Sequence, residues 1–403
     1  MGATDREPDC HIFRNSKNTR YDIETIKEYM QALGSFYDFD HTKTPKLLTL
    51  QKILEQFPQI EHFRPGNLIK WLAPSCDDLI INCSWKNEQR NCSELFQQRL
   101  SFEGSCCMFN YVKNTVENIS DNFRNRKIMS GDAGINYGLT IELNNQIDDY
   151  FYTQHASLGA NIHIFNPDDY PDKNSGGLTE QLVGLSREFY MQLETIGFRS
   201  VPEVIDYSVD KRMCYFEFEK TTAFGLYSES DCLVDCRIKS MIGLCGCVPF
   251  MIPQNRSRVC GFSDMHCLNK FRNKWESLAP PDGFQEASLL REAHHSLRCE
   301  RCYPVCESFL YNMATNNEFF PSFGNNSLLH IYYVDRFSTI YKQDIQNYWF
   351  EIISKLGSLF GLMLGASLVS LLEIIVSLAH KAYKLFEETK FDDDFCECCI
   401  WTI

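Results

Sequence analysis

The stretch YSESDCLVDCRIKSMIGLCGCVPFMIP, residues 227–253, carries the strongest information about the fold of this chain. Cys232 and Cys236 are four residues apart, so on an α-helix they would share one face. Cys245 and Cys247 follow in the same stretch. We therefore predict a helix that disulfides fasten to neighbouring segments.

Cysteine is frequent throughout the part of the chain that precedes residue 307. Sixteen of the 19 cysteines lie between Cys10 and Cys306. A dense, even set of this kind is typical of disulfides formed in an oxidising compartment. The same region contains five Asn-x-Ser sequons, at Asn82, Asn91, Asn118, Asn255 and Asn325. The two patterns together predict an extracellular or lumenal region.

A zinc site is the alternative interpretation of the CERC sequence at residues 299–302. The density of cysteines around it favours disulfides over a metal site. We expect neither a metal ion nor a cofactor.

Charge and motifs exclude several classes of protein. The chain has 53 acidic and 39 basic residues, a net charge of −14, which argues against a nucleic-acid-binding protein. It contains no HExxH, no GxSxG and no glycine-rich phosphate loop. We therefore expect that the protein is not an enzyme.

An apolar run, LGSLFGLMLGASLVSLLEIIVSL, covers Leu356–Leu378. As one helix, its 23 residues would extend roughly 34 Å, enough to cross a bilayer. Lys381 and Lys384 follow and place the C-terminal end in the cytoplasm. We expect an outer region over residues 1–349, a membrane helix over 350–380 and a cytoplasmic tail over 381–403. Because MGATDREPDCHIF resembles neither a signal peptide nor a membrane span, we also expect the chain to be incomplete at its N-terminus.

Small residues and one carboxylate interrupt this apolar run. Gly357, Gly361 and Gly365 recur every four residues, so they share a helix face and allow close approach of another helix. Glu373 lies two turns further on, and a lipid-facing carboxylate would cost on the order of 3 kcal/mol. Either a water-filled vestibule or a hydrogen-bonding neighbouring helix would satisfy this carboxylate.

The outer region is predicted to be an α+β domain in which short strands and a few helices are held together by disulfides. MCYFEFEKTTAF, residues 213–224, alternates aromatic and polar residues as a half-buried strand does. LLHIYYVDRFSTIY, residues 328–341, predicts a second strand, leading toward the apolar run.

Three motifs resemble those of the degenerin/epithelial sodium channel family. They are GSCCMFN at residues 104–110, the cysteine stretch at 227–253, and RCERCYPVC at 298–306 with LFGLMLGASLVSLLE after it. The order and spacing match, from about Cys10 to about Leu385, and the divergence between motifs is most similar to the insect pickpocket branch. The first membrane span and the short cytosolic His-Gly motif of the family are absent, which again suggests N-terminal truncation.

The resemblance implies a subunit of a trimeric, voltage-independent, amiloride-sensitive channel that conducts Na⁺ passively across the plasma membrane. Its partners would be Na⁺, amiloride-type blockers, membrane lipid and other family subunits in a homo- or heterotrimer. The ectodomain would be hand-like, with palm, finger and a thumb-like cysteine ladder at residues 232–306. Gly365, Ala366 and Ser367 match the G-x-S selectivity stretch of the family, with Glu373 in the inner vestibule.

The resemblance also implies a set of disulfides. These are Cys10–Cys106, Cys83–Cys92, Cys214–Cys306, Cys232–Cys302, Cys236–Cys299, Cys245–Cys267 and Cys247–Cys260. Cys76 and Cys107 remain, and Cys107 replaces the tyrosine usual in its motif. Pairing these two would give an eighth bridge.

Two other functions remain compatible with the sequence. A single-span receptor or adhesion protein would use the ectodomain only for binding. A truncated, non-conducting product would instead reduce the assembly of full-length partners.

Overall fold

The computed structural model describes residues 23–55, 65–113, 127–150, 152, 154–222, 224–252, 257–279, 295–321, 324–365 and 367–393. The described helices are α1 (Ile23–Gln31), α2 (Thr44–Leu54), α3 (Pro65–Leu72), α4 (Cys76–Leu79), α5 (Cys92–Leu95), α6 (Val209–Arg212), α7 (Glu229–Cys245), α8 (Met265–Glu276), α9 (Trp349–Leu364) and α10 (Leu368–Asp393). The described strands are β1 (Ile80–Trp85), β2 (Glu88–Arg90), β3 (Phe96–Ser101), β4 (Gly104–Phe109), β5 (Leu139–Leu143), β6 (Ala160–Ile164), β7 (Thr179–Val183), β8 (Arg187–Ser200), β9 (Thr221–Thr222), β10 (Gly225–Leu226), β11 (Glu307–Phe319), β12 (Ser327–Tyr333) and β13 (Thr339–Gln343). This mixture of helices and strands, crossed by disulfides, agrees with the α+β class.

A seven-stranded sheet organises the first of two compact units, residues 1–343. Its strand order is β11-β8-β12-β5-β1-β2, and β13 also pairs with β8. The long strand β8 is antiparallel to β11 but parallel to β12 and β13. Two separate hairpins, β3–β4 and β6–β7, lie outside this sheet.

Among the described residues, two large hydrophobic cores and a small cluster of Cys214, Phe216 and Cys306 stabilise this unit. The first joins the N-terminal helices to α7 and α8, with Phe36 stacked on Phe250 and in edge contact with Phe262. The second lies on the large sheet and includes Met191 and Leu329, both fully buried. Burial of such apolar side chains is worth about 1.5–3 kcal/mol each.

The predicted helix in the cysteine stretch is confirmed as α7. Its N-cap is Ser228, whose side chain accepts a hydrogen bond from the Asp231 N–H at 3.2 Å. At its end, Gly246 takes the left-handed conformation with φ of 67°, which glycine adopts at low cost. The helix is therefore bounded by local signals at both ends.

The strand predicted over residues 213–224 is wrong. Among the described residues of this segment, only Thr221–Thr222 is a strand. Tyr215 forms an isolated bridge with Val305, and residues 217–219 form a turn. Arg212 causes part of this departure, because its guanidinium holds the Glu219 carboxylate at 2.5 Å and so draws the segment back on itself. The strand predicted over residues 328–341 exists, divided into β12 and β13.

The second unit, residues 344–403, contains α9 and α10. The expectation of one continuous helix over residues 350–380 is wrong, since α9 ends at Leu364 and α10 begins at Leu368. Gly365 has φ of 62°, a left-handed conformation that ends a helix. Among the described residues, no helix combines the length and apolarity that crossing a membrane requires.

Candidate functional site

The break between α9 and α10 falls on the residues that the family resemblance assigns to ion selectivity. Gly365 is the C-cap of α9, and Ser367 caps the start of α10. The Ser367 hydroxyl accepts a hydrogen bond from the Ser370 N–H at 3.2 Å and lies 3.1 Å from the Ser370 hydroxyl. Ala366, the middle residue of this stretch, lies outside the described residues.

The break has a chemical consequence for the backbone. The last four carbonyl groups of an α-helix lack partners within that helix. Because α9 ends at its C-cap Gly365, its last carbonyl groups are in this position, close in sequence to the Ser367 hydroxyl. Carbonyl and hydroxyl oxygens are groups that can replace water around a cation.

A polar stripe runs along α10 in otherwise apolar surroundings. Ser370, Glu373, Ser377, Lys381 and Lys384 are spaced by three or four residues, so they lie on one face of the helix. Glu373 is exposed on this face. Glu373 was predicted as a site residue from the sequence. The two serines were not, although their helical spacing within the apolar run is a signal that could have identified them.

The glycine face of α9 has free space beside it. Gly357 would accommodate a Cβ atom with no heavy atom of the described chain within 4 Å. Gly361 lies one turn further along the same face. Small residues leave room there for another helix, whichever molecule supplies it.

Disulfides hold the region around α7. Seven join described residues, namely Cys76–Cys107, Cys83–Cys92, Cys214–Cys306, Cys232–Cys302, Cys236–Cys299, Cys245–Cys267 and Cys247–Cys260. Six coincide with pairs that the resemblance implies, and Cys76–Cys107 is the additional pair. Two disulfides fasten one face of α7 to the segment at residues 299–302, as its cysteine spacing suggested.

The implied Cys10–Cys106 disulfide involves Cys10, which lies outside the described residues. Cys106 forms no disulfide with any cysteine in the described part of the chain. Its sulfur lies 3.1 Å from the Ser101 hydroxyl, and burial raises the pKa of the Cys106 thiol.

Two buried ion pairs fasten α7 from its other side. The Arg237 guanidinium donates to both carboxylate oxygens of Asp172, at 2.8 and 3.1 Å. Asp231, in the first turn of α7, is fully buried and bonds to the Lys113 ammonium. Charges buried this deeply have to be paired, because an isolated charge would lose its hydration without compensation.

A cleft of about 1230 Å³, lined by acidic and basic side chains, lies beside the start of α7. Burial raises the pKa of Asp169 and of Glu217, and burial together with the Asp169 charge raises the pKa of Glu229 to about 7. Burial also lowers the pKa of Lys113, another lining residue, to about 8. This cleft was not predictable from the sequence, since its walls come from segments far apart in the chain.

Three of the predicted glycosylation sequons are described. Asn82, Asn91 and Asn325 are all exposed. Asn118 and Asn255 lie outside the described residues.

Comparison with known proteins gives a consistent family. Residues 8–376 match the family described as "Amiloride-sensitive sodium channel". The chain is 26% identical to Pickpocket protein 28 of Drosophila melanogaster over 77% of its length, and 27% identical to Sodium channel protein Nach of the same species over 80%. It is also 22% identical to Degenerin del-1 of Caenorhabditis elegans over 93% of its length.

The chain is shorter than these relatives. The matches cover 57% of Pickpocket protein 28, 62% of Nach and 56% of Degenerin del-1. The family match nevertheless extends from the first cysteine to the polar stripe of α10. The chain therefore belongs to the amiloride-sensitive sodium channel family, that of the degenerins and epithelial sodium channels, whose members are ion channels and not enzymes.

Proposed function

We propose that this chain is a pore-forming subunit of a sodium channel and that Gly365, Ala366 and Ser367 form its selectivity stretch. The observation that carries the proposal is the helix break at this stretch. Backbone carbonyls and the Ser367 hydroxyl would replace part of the hydration shell of Na⁺. Ions would then move passively, and no covalent chemistry is involved.

The same segment suggests how the chain crosses the membrane. We propose that α9 and α10 cross the plasma membrane together, with the break inside the bilayer. Irregular backbone is tolerated at that depth where it lines a water-filled path. The polar stripe on α10, including Glu373, would face this path and gather cations, and the C-terminal tail would lie in the cytoplasm.

The assembly is proposed to be a trimer, in which the Gly357 and Gly361 face packs against a neighbouring subunit. The disulfide-held helices α7 and α8 would form a thumb-like lever on a palm-like sheet. Amiloride-type block and voltage independence are the expected pharmacology. The family membership supports each of these features, and the free space beside Gly357 favours the packing of subunits.

The selectivity stretch is tested by recording Na⁺ current from insect cells that express the chain, alone and together with Pickpocket protein 28. We expect Gly365→Trp and Ser367→Phe to abolish the current that depends on this chain, because bulk at the break closes the path. Leu371→Phe, one turn into α10 and off the polar stripe, is the matched control and should conduct. Normal current in both break variants would refute the pore assignment.

Topology is tested separately, by treating the expressed chain with a peptide N-glycosidase. The exposed Asn82, Asn91 and Asn325 should carry glycans if the first unit is extracellular. A chain whose electrophoretic mobility does not change would contradict that topology. A glycosylated chain that reaches the surface and adds no current would contradict conduction while leaving topology intact.

A further inference from the structure

A histidine and two glutamates converge between the two small hairpins. His163 on β6 and Glu180 on β7 are directly paired across the strands. Glu103 approaches them from the turn between β3 and β4. The ligand atoms of these three side chains all lie within 4.8 Å of one another.

We propose that Glu103, His163 and Glu180 bind a divalent transition-metal ion of the zinc class. The proposal is independent of ion conduction. Imidazole nitrogen together with carboxylate oxygen is a donor set that Zn²⁺ uses in proteins. In a tetrahedral site with bonds of about 2.0–2.1 Å, ligand atoms are about 3.4 Å apart. His163 Nε2 lies 3.3 Å from Glu103 Oε2 and 4.0 Å from Glu180 Oε2, so a small movement of the exposed Glu180 completes this spacing.

The Asn161 side-chain amide lies against the cluster. Its nitrogen is 2.9 Å from His163 Nε2 and 3.2 and 3.4 Å from the carboxylate oxygens of Glu103. A metal ion bound here would take the place of the amide N–H groups and accept the one lone pair of His163 Nε2.

Two further polar atoms at the cluster are buried and lack a hydrogen-bond partner among the described residues. They are the Oδ1 atom of Asn161 and the Nε2 atom of His155, whose charge acts on His163. Rotation of the Asn161 amide would turn its oxygen toward the carboxylates, where only a cation stabilises it. This oxygen is a candidate for the fourth ligand.

One competing cation is present. The Lys173 ammonium lies 2.9 Å from Glu180 Oε1 and 2.8 Å from Glu180 Oε2. A bound metal has to share Glu180 with it or displace it. Lys173 therefore weakens the site, and its removal should strengthen metal binding.

The test is a calorimetric titration of Zn²⁺ into the purified full chain in detergent, with Cys396, Cys398 and Cys399 replaced by serine to remove tail thiols. We expect His163→Gln and Glu103→Gln to weaken one Zn²⁺ site. The loss should exceed the roughly 10–100-fold that removal of an outer-shell partner costs. Lys173→Gln should tighten the same site. Ca²⁺ and Mg²⁺ should compete weakly with Zn²⁺.

His330 provides the matched control. It also contacts a glutamate, Glu188 at 2.9 Å, while its other ring nitrogen lies 2.9 Å from the Thr140 hydroxyl. His330→Gln should leave Zn²⁺ binding unchanged. Equal Zn²⁺ affinity in wild type, His163→Gln and Glu103→Gln would overturn the proposal, and so would an unchanged affinity in Lys173→Gln. Tighter binding of Ca²⁺ than of Zn²⁺ would overturn the assignment of the metal class.

Discussion

Helix α7 and the helices α9 and α10 differ in what surrounds their side chains. α7 is held by disulfides on one face and by buried charges on the other, where Asp172 and Arg237 are 0% and 1% exposed. On α9, by contrast, Leu362 and Met363 are 82% and 72% exposed. Contacts within the chain fix the first region. The second presents an apolar surface whose cover, under the proposed function, is lipid and other subunits.

The largest expected effect concerns the paired disulfides of α7. While Cys236–Cys299 is intact, Cys232–Cys302 closes a ring of only roughly nine residues, which predicts a contribution of about 2–3 kcal/mol. Once one bridge is lost, the other closes, by way of Cys214–Cys306, a ring of roughly 25–30 residues and is worth about 3.5 kcal/mol. Replacing all four cysteines by serine should therefore cost about 6 kcal/mol, more than the sum of the two single-bridge losses. Guanidinium unfolding of the oxidised chain measures these free energies.

The two α7 disulfides would not be coupled if the loss of unfolding free energy on replacing both equalled the sum of the two single-bridge losses. Cys83–Cys92 is the control, because it lies far from α7 in the chain and closes its own loop. Its loss, combined with that of Cys232–Cys302, should simply add.

The next largest effect concerns the buried charges of α7. Asp172→Ala should lower the free energy of unfolding by about 3–5 kcal/mol, because it leaves the Arg237 guanidinium buried without a counter-charge. Replacing both residues, as Asp172→Leu with Arg237→Met, should cost less than Asp172→Ala alone. Glu28→Ala, which breaks the exposed pair with Lys46, should cost less than about 1 kcal/mol. If the free energy of unfolding fell equally at the buried and the exposed pair, burial would not determine how much an ion pair contributes to stability.

The same two regions show which features of the fold could be predicted from the sequence and which could not. The α7 helix was predictable because its cap and its cysteine spacing are local. The disulfide pairs came from the resemblance, since spacing alone leaves many pairings open. The Lys113–Asp231 pair was not predictable, because 118 residues separate its partners.

The break at Gly365 was missed for a different reason. Apolar residues continue on both sides of it, so hydropathy predicts one helix across the whole run. In the described part of this break, the left-handed backbone of Gly365 and the Ser367 cap separate the two helices. Both signals are single residues, and a glycine within an apolar helix is otherwise common in membrane segments.

The third effect is a pH dependence at the start of α7. Burial and the nearby Asp169 charge raise the pKa of Glu229 to about 7, whereas an unfolded glutamate titrates near 4.3. The folded chain therefore binds more protons than the unfolded chain between these values, and its stability falls as pH rises through that window. Glu229→Gln should remove this loss and stabilise the chain above pH 7, by about 3–4 kcal/mol.

Thermal unfolding at a series of pH values from 4 to 8 measures this effect. Glu94→Gln, a change at an exposed glutamate, is the control and should leave the profile unchanged. A Glu229→Gln chain whose stability falls between pH 5 and 7 as steeply as the wild type would assign the pH dependence to other groups.

The smallest expected effect on the stability of the single chain comes from substitution of Gly357. The same substitution should have a large effect only on assembly with other helices. Gly357→Ala should stabilise α9 by at most about 1 kcal/mol, since alanine favours the helix and the position has free space. Gly357→Leu should be equally harmless to folding, yet it should block the approach of another helix and reduce the oligomeric fraction in detergent. Leu359→Phe adds bulk on the opposite side of α9 and should leave assembly intact. If Gly357→Leu and Leu359→Phe assemble equally well by light scattering, the glycine face is not the packing surface, and the exposed apolar residues of α9 would contact lipid alone.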